Sequence, residues 1–147
     1  MQKIRLAFSD EELGLMNESG YSKKAIKLYL NQFNVGKILN PDAVSTYLGP
    51  YRDLIRLYLR IIDATITEAK FFYLGCPGVA ASMSALTILL VGKTLDQANE
   101  LTEKDVLKEL GDLPQSKYKC LKLSIKSLKK LLQEYKEIKT NLMEVYW

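Results

Sequence analysis

Residues 71–92 read FFYLGCPGVAASMSALTILLVG and hold no charged side chain. The stretch changes character once. It begins as a strand, breaks at Gly75-Cys76-Pro77-Gly78, and continues as an apolar helix over Pro77–Val91. Pro77 suits the first helical turn, where backbone N–H groups have no partner inside the helix and proline has none to offer. Cys76 therefore stands at the helix start, where the positive end of the helix dipole favours its thiolate. The thiolate is the form that binds metal or attacks sulfur. Two blander readings compete. A membrane span needs about 20 apolar residues in a row, and Gly75, Pro77 and Gly78 split this run, so a buried central helix is expected instead. A single cysteine in such a helix is most often a small core residue.

The rest of the composition bounds the molecule. A chain of 147 residues is expected to form one domain, 1–147, with a core of its own. A content of 48% hydrophobic and 26% charged residues is ordinary for a globular protein. The opening segment MQKIRLAFSDEELG lacks the apolar core of a secretory signal. Cys76 and Cys120 are too few for a disulfide framework. A cytoplasmic protein with reduced thiols is expected, with no membrane partner. The net charge of +4 is too small to imply nucleic acid. The chain has no histidine, so a metal site must rest on cysteine, carboxylate or a borrowed group.

Around the central stretch the pattern alternates between strand and helix. Residues 1–19 carry Asp10, Glu11, Glu12 and Glu18 with little periodicity, and a loose arm or short helix is expected. Ser22 caps a helix through about Gln32, with Ala25, Ile26, Tyr29, Leu30 and Phe33 on one face. Asn34-Val35-Gly36 ends it, with Gly36 available for a left-handed turn. Ala43–Leu48 reads as an edge strand. In Asp53–Ile62, Ile55, Leu57, Leu59 and Ile61 alternate with Arg56, Tyr58 and Arg60, the signature of a half-buried strand. Asp63-Ala64 turns the chain into a return strand, Thr65–Leu74, with Glu68 and Lys70 on its exposed side.

Past the central helix, Thr94 caps a short helix to Asn99, and Thr102 with Asp105 starts another to Leu110. A final helix spans about Ser116 to Leu142. Its apolar stripe, Leu121, Ile125, Leu128, Leu132, Tyr135, Ile138 and Leu142, is expected to pack on the body. Lysines 122, 126, 129, 130, 136 and 139 line the other side, either as a solvated face or as a surface for an acidic partner. The pattern predicts an α+β domain: a small antiparallel sheet of about three strands, helices on one face, and a long C-terminal helix.

Three groups at the ends of elements could bind a soft metal: Asp53, Cys76 and Cys120, the last in the run Lys117-Tyr118-Lys119-Cys120, whose two lysines favour its thiolate. Spacing alone does not show that they meet.

From Tyr21 to Leu132 the order of short motifs resembles the U-type iron–sulfur cluster assembly scaffolds, the family of IscU and the NifU N-terminal domain. The motifs are Tyr21-Ser22-Lys23-Lys24, Asn34-Val35-Gly36, the paired strands, Gly75-Cys76-Pro77-Gly78 through Ser84, Gly92-Lys93-Thr94 through Ala98, and Leu113-Pro114 through Cys120. The resemblance implies a protein that is not an enzyme but holds a nascent iron–sulfur cluster, or zinc in its place. It implies cysteine desulfurase and iron–sulfur acceptor proteins as partners. It places Cys76, Cys120 and Asp53 among the ligands, with Cys76 the chosen sulfur acceptor. Two family positions are filled differently. Tyr51 stands where the first cysteine is expected, and Lys119 where a histidine is expected. Two thiolates and one carboxylate leave a four-ligand site one short. Of the Leu-Pro-Pro-x-Lys stretch that chaperones recognise in the family, Leu113, Pro114 and Lys117 remain. Three functions stay open: a working scaffold that borrows a ligand, a divergent paralogue that keeps the fold and partner surfaces, and a basic nucleic-acid-binding module.

Overall fold

The computed structural model describes residues 19–146. The expected N-terminal arm falls outside the described residues but for its last position. In chain order the elements are α1 (Lys23–Leu30), β1 (Ala43–Leu48), β2 (Leu54–Ile62), β3 (Thr65–Leu74), α2 (Pro77–Leu90), α3 (Leu95–Asn99), α4 (Glu103–Leu110), a 3-10 turn (Gln115–Lys117) and α5 (Tyr118–Tyr146).

The three strands form one antiparallel sheet in the order β1-β2-β3. Their alternation decides which face is covered. Ile55, Leu57 and Leu59 of β2 and Ile66, Ala69 and Phe71 of β3 are buried. In β3 the inward residues are spaced three apart at Ile66 and Ala69, which strict alternation forbids. The register shift at Arg60/Ile61 accounts for it: Glu68 pairs with Arg60 and Ile66 with Ile61, leaving Thr67 as the extra residue of a bulge. The hairpin turn Asp63-Ala64 has φ of 51° and 59°, so two non-glycine residues adopt the left-handed conformation that favoured hairpin turns require.

Helix α2 lies on the covered face and is buried from Gly78 to Thr87 and at Leu90. A helix apolar on all sides belongs inside a protein, and here it is packed against α1, α4, α5 and β3. No described helix is long and apolar enough to cross a membrane. Ser22 caps α1 by accepting from the Ala25 N–H at 2.9 Å. Its own hydroxyl donates to the Leu110 carbonyl, which ties the start of α1 to the end of α4.

Three expectations are corrected. Helix α1 stops at Leu30, and the chain turns left-handed at Gln32 and Asn34 as well as at Gly36. The Asn34-Val35-Gly36 segment then does more than end a helix. It runs parallel beside β3, with Phe71 N–H donating to the Asn34 carbonyl and Gly36 N–H donating to the Phe71 carbonyl. The stripe of the final helix packs only in part. Leu121, Leu128 and the off-stripe residues Leu123 and Leu131 are buried, while Ile138 and Leu142 are exposed. Length explains this. At about 1.5 Å per residue a helix of this size reaches about 43 Å, whereas the longest strand spans about 33 Å, so the last turns of α5 outrun the sheet.

Candidate functional site

Three chain segments meet where β3 ends, α2 begins and α5 begins. Cys76 is the N-cap of α2, extended at φ −81° and ψ 169°, with Pro77 next in line. Cys120 lies in the first turn of α5. The 3-10 turn before it is closed by Lys117 N–H donating to the Pro114 carbonyl at 2.8 Å. The two sulfurs stand 3.8 Å apart. Both are free thiols, Cys76 partly exposed and Cys120 buried. Gly78 makes room for this approach, since a β-carbon there would sit 3.0 Å from the Cys120 sulfur.

The pair shares its protons unequally. Cys76 is pushed down to about 5, first because the Cys120 thiol donates to it, and further by the Val79 and Gly78 N–H groups at the helix start and by the Lys117 ammonium. Cys120 is pushed well above the usual thiol range because it keeps the shared proton and is buried. The pair thus loses its first proton in acid and the second with difficulty. Iodoacetamide should therefore label Cys76 almost as fast at pH 6.5 as at pH 8. An ordinary thiol, with a pKa of about 8.5, would slow by more than tenfold over that range. Peptide mapping with rates at several pH values checks this, and an inflection near pH 8.5 for Cys76 would contradict it.

Asp53, just before β2, is 9% exposed. Its carboxylate nestles between two glycines. A β-carbon at Gly75 would lie 3.1 Å from Oδ1, and one at Gly49 3.3 Å from Oδ2. Its charge is felt at Cys120, where it disfavours the thiolate. Among the described residues this carboxylate has no hydrogen-bond or ion-pair partner. The buried side-chain oxygens without a partner among the described residues are those of Ser45 and Ser82, not of Asp53, so the carboxylate keeps contact with solvent at the rim. The structure thus brings the two cysteines into contact and sets the aspartate beside them. Among the described residues, however, no three histidine, cysteine, aspartate or glutamate side chains are grouped so as to hold a metal ion unaided.

Three residues around the site were legible only in part. Tyr21 enters the sequence reading as part of an opening motif. It is buried beside the thiols, and its phenol is pushed up to about 12 by burial and by the charges of Cys76 and Cys120. Nothing in its spacing signalled that neighbourhood. Tyr51 and Lys119, which fill the two divergent positions, touch each other: the Lys119 ammonium lies 4.2 Å from the centre of the Tyr51 ring.

A sheet of this order, with two thiols at the helix starts on one rim, defines a small class of proteins. The NifU-like N terminal domain matches residues 20–142, and the chain belongs to that family. The iron–sulfur cluster assembly scaffold protein IscU 1 of Archaeoglobus fulgidus is 34% identical over 116 residues, 78% of this chain and 76% of that protein. The IscU scaffold of Azotobacter vinelandii is 34% identical over 124 residues, 81% of this chain and 96% of that one. In structure, a protein from Fervidobacterium islandicum AW-1 described as an iron–sulfur cluster assembly scaffold for the SUF system superposes with a TM-score of 0.63 at 22% identity. That match covers 76% of this chain and 96% of the other, and it establishes the shared fold.

Proposed function

We propose that the protein is an iron–sulfur cluster assembly scaffold that receives iron and sulfide at Cys76 and Cys120, with Asp53 as a third, exchangeable ligand. The observation that carries this reading is the 3.8 Å separation of the sulfurs. Two thiolates bound at about 2.3 Å to a tetrahedral metal stand about 3.8 Å apart. The thiols are thus spaced as one edge of a tetrahedral site before any metal arrives. The unpartnered carboxylate of Asp53 supports it from a second side. A carboxylate among thiolates holds a soft metal loosely, which suits a site that must give up its cargo. Zinc fits the same edge. The remaining position is open to a ligand from outside the chain. Sulfur comes from a partner, by analogy with the family a cysteine desulfurase that hands over persulfide sulfur; a separate electron donor supplies the two electrons that bring it to sulfide, and the finished cluster passes to an acceptor protein. The chain itself turns nothing over.

Anaerobic incubation with ferrous iron and sulfide tests this. The wild-type chain should turn brown, with sulfur-to-iron charge-transfer absorption that survives desalting. Cys76→Ser and Cys120→Ser should each lose most of it. A colourless wild-type protein would favour the second reading, a paralogue that keeps the fold without the cluster. Tyr51 and Lys119 at the two divergent positions are the observation on that side.

A further inference from the structure

The cysteine pair has a second property, which metal binding does not use. Its sulfurs are already in contact at 3.8 Å. A disulfide bond is about 2.05 Å long, so rotation of the two side chains has to close a gap of about 1.8 Å. Gly78 leaves the Cys120 sulfur uncovered on the side of α2, where a β-carbon would stand 3.0 Å from it. The two thiols differ in access. Cys76 is partly exposed at the head of α2, whereas Cys120 is 1% exposed. A reagent arriving from solvent therefore meets Cys76 first, and whatever it leaves on that sulfur lies against Cys120. An accessible thiol backed by a buried one in contact is the arrangement that turns oxidation into a reversible event, because the second thiol captures the first product before further oxygen is added.

We propose that Cys76 is an oxidation site for hydroperoxides, with Cys120 as its resolving thiol, and that the metal-free pair closes reversibly to a disulfide. Cys76 attacks a peroxide oxygen as the thiolate. The sulfur–oxygen bond forms, the oxygen–oxygen bond breaks, and Cys76 becomes a sulfenic acid while the departing oxygen leaves as water with the thiol's proton. The Cys120 sulfur then attacks the Cys76 sulfur. The sulfur–sulfur bond forms, the sulfur–oxygen bond breaks, and the hydroxide leaves as a second water with the Cys120 proton. Two electrons from the two thiols have thus reduced one peroxide to two waters. A small dithiol such as dithiothreitol reverses the closure: it is oxidised to its own disulfide and returns both thiols. The bond would staple the head of α2 to the head of α5, and the closed pair offers no thiolate to a metal. That last consequence rests on the scaffold reading above; the disulfide itself does not.

The test uses the full chain, reduced, freed of metal and kept under argon, with hydrogen peroxide as the probe. The wild type should lose the mass of two hydrogens, and both free thiols should disappear together. Digestion without reductant should yield one peptide that joins Cys76 to Cys120, and dithiothreitol should restore both thiols. In Cys120→Ser the sulfenic acid has no partner, so dimedone present during oxidation should label Cys76 about tenfold more than in the wild type. The wild-type peptide map decides the matter even if that variant fails to fold. Added oxygen on Cys76 beside an intact Cys120 thiol would overturn the proposal. So would a disulfide between the Cys76 residues of two chains, or two thiols that survive the peroxide. Cobalt(II) gives the link to the scaffold reading. The reduced chain should show sulfur-to-cobalt absorption and the oxidised chain none, with recovery after dithiothreitol and desalting. Cobalt absorption undiminished in the oxidised chain would overturn the closure. A disulfide in a chain whose reduced form binds no cobalt would bring down the scaffold reading and leave this one standing. Cobalt binding by a chain that forms no disulfide would do the reverse.

Discussion

Phe71→Ala should lower the free energy of unfolding by about 3–5 kcal/mol, near the upper end for a single core truncation. The ring is fully buried, sits 5.7 Å from the Tyr73 ring, and belongs to the residue of β3 that pairs with Leu57. Both of its backbone groups bond on the outer side of the strand, the N–H to Asn34 and the carbonyl to Gly36. Truncation leaves a cavity where the sheet meets the Val35 segment, and the surrounding strands relax only partly to fill it. Against a total stability of about 5–15 kcal/mol for a chain of this kind, that loss lowers the melting temperature by many degrees. Phe72→Ala is the control. Its ring is 46% exposed on the other face of the same strand, so about 1 kcal/mol or less is expected. Denaturant unfolding of the two variants checks the assignment of faces. Equal losses would mean that the covered face of the sheet is misplaced.

That contrast shows what local pattern makes legible. Strands β1 and β3 and helices α3 and α4 lie where alternation, turn residues and caps put them, because each signal is written within ten residues of the element it shapes. Thr94 caps α3 and Gln97 answers it, all inside one turn. The misses share another property: each depends on residues far apart in the chain. The parallel bridge from Val35 to Phe71 leaves no trace in the composition of 34–36. The exposure of Ile138 and Leu142 follows from the relative lengths of a helix and a sheet, which periodicity does not measure.

At the site the division is the same. Cys76 was legible as a thiol at a helix start, because glycine, proline and the apolar run mark the break locally. Its meeting with Cys120, 44 residues on, was not. The resemblance named which residues to compare, and packing brought them together through Gly78. Tyr21 shows the reverse case. It was quoted for its place in a motif, yet its burial beside the thiols comes from how α1 docks on the rest of the fold, which no neighbouring residue announces.

Tyr51→Cys combined with Lys119→His should raise zinc affinity by about a hundredfold or more. A structural zinc site of four ligands is worth about 10–16 kcal/mol, so each added ligand contributes about 3 kcal/mol. The geometry favours the change at both positions. The ends of their side chains meet at 4.2 Å, and the two positions lie on the segments that also carry Asp53 and Cys120, which brings both new donors to the neighbourhood of the thiol pair. The single variants separate ligation from charge. Tyr51→Cys adds a thiolate but no imidazole, so the gain should fall short of the double variant. Lys119→His adds an imidazole and removes one ammonium charge together. In the cobalt-substituted double variant, three thiolates in place of two should raise sulfur-to-cobalt absorption by about half. Competition titration against a chromophoric zinc chelator gives the affinities. If the double variant binds zinc no better than the wild type, the two divergent positions do not face the thiols, and the open side of the site lies elsewhere on the rim.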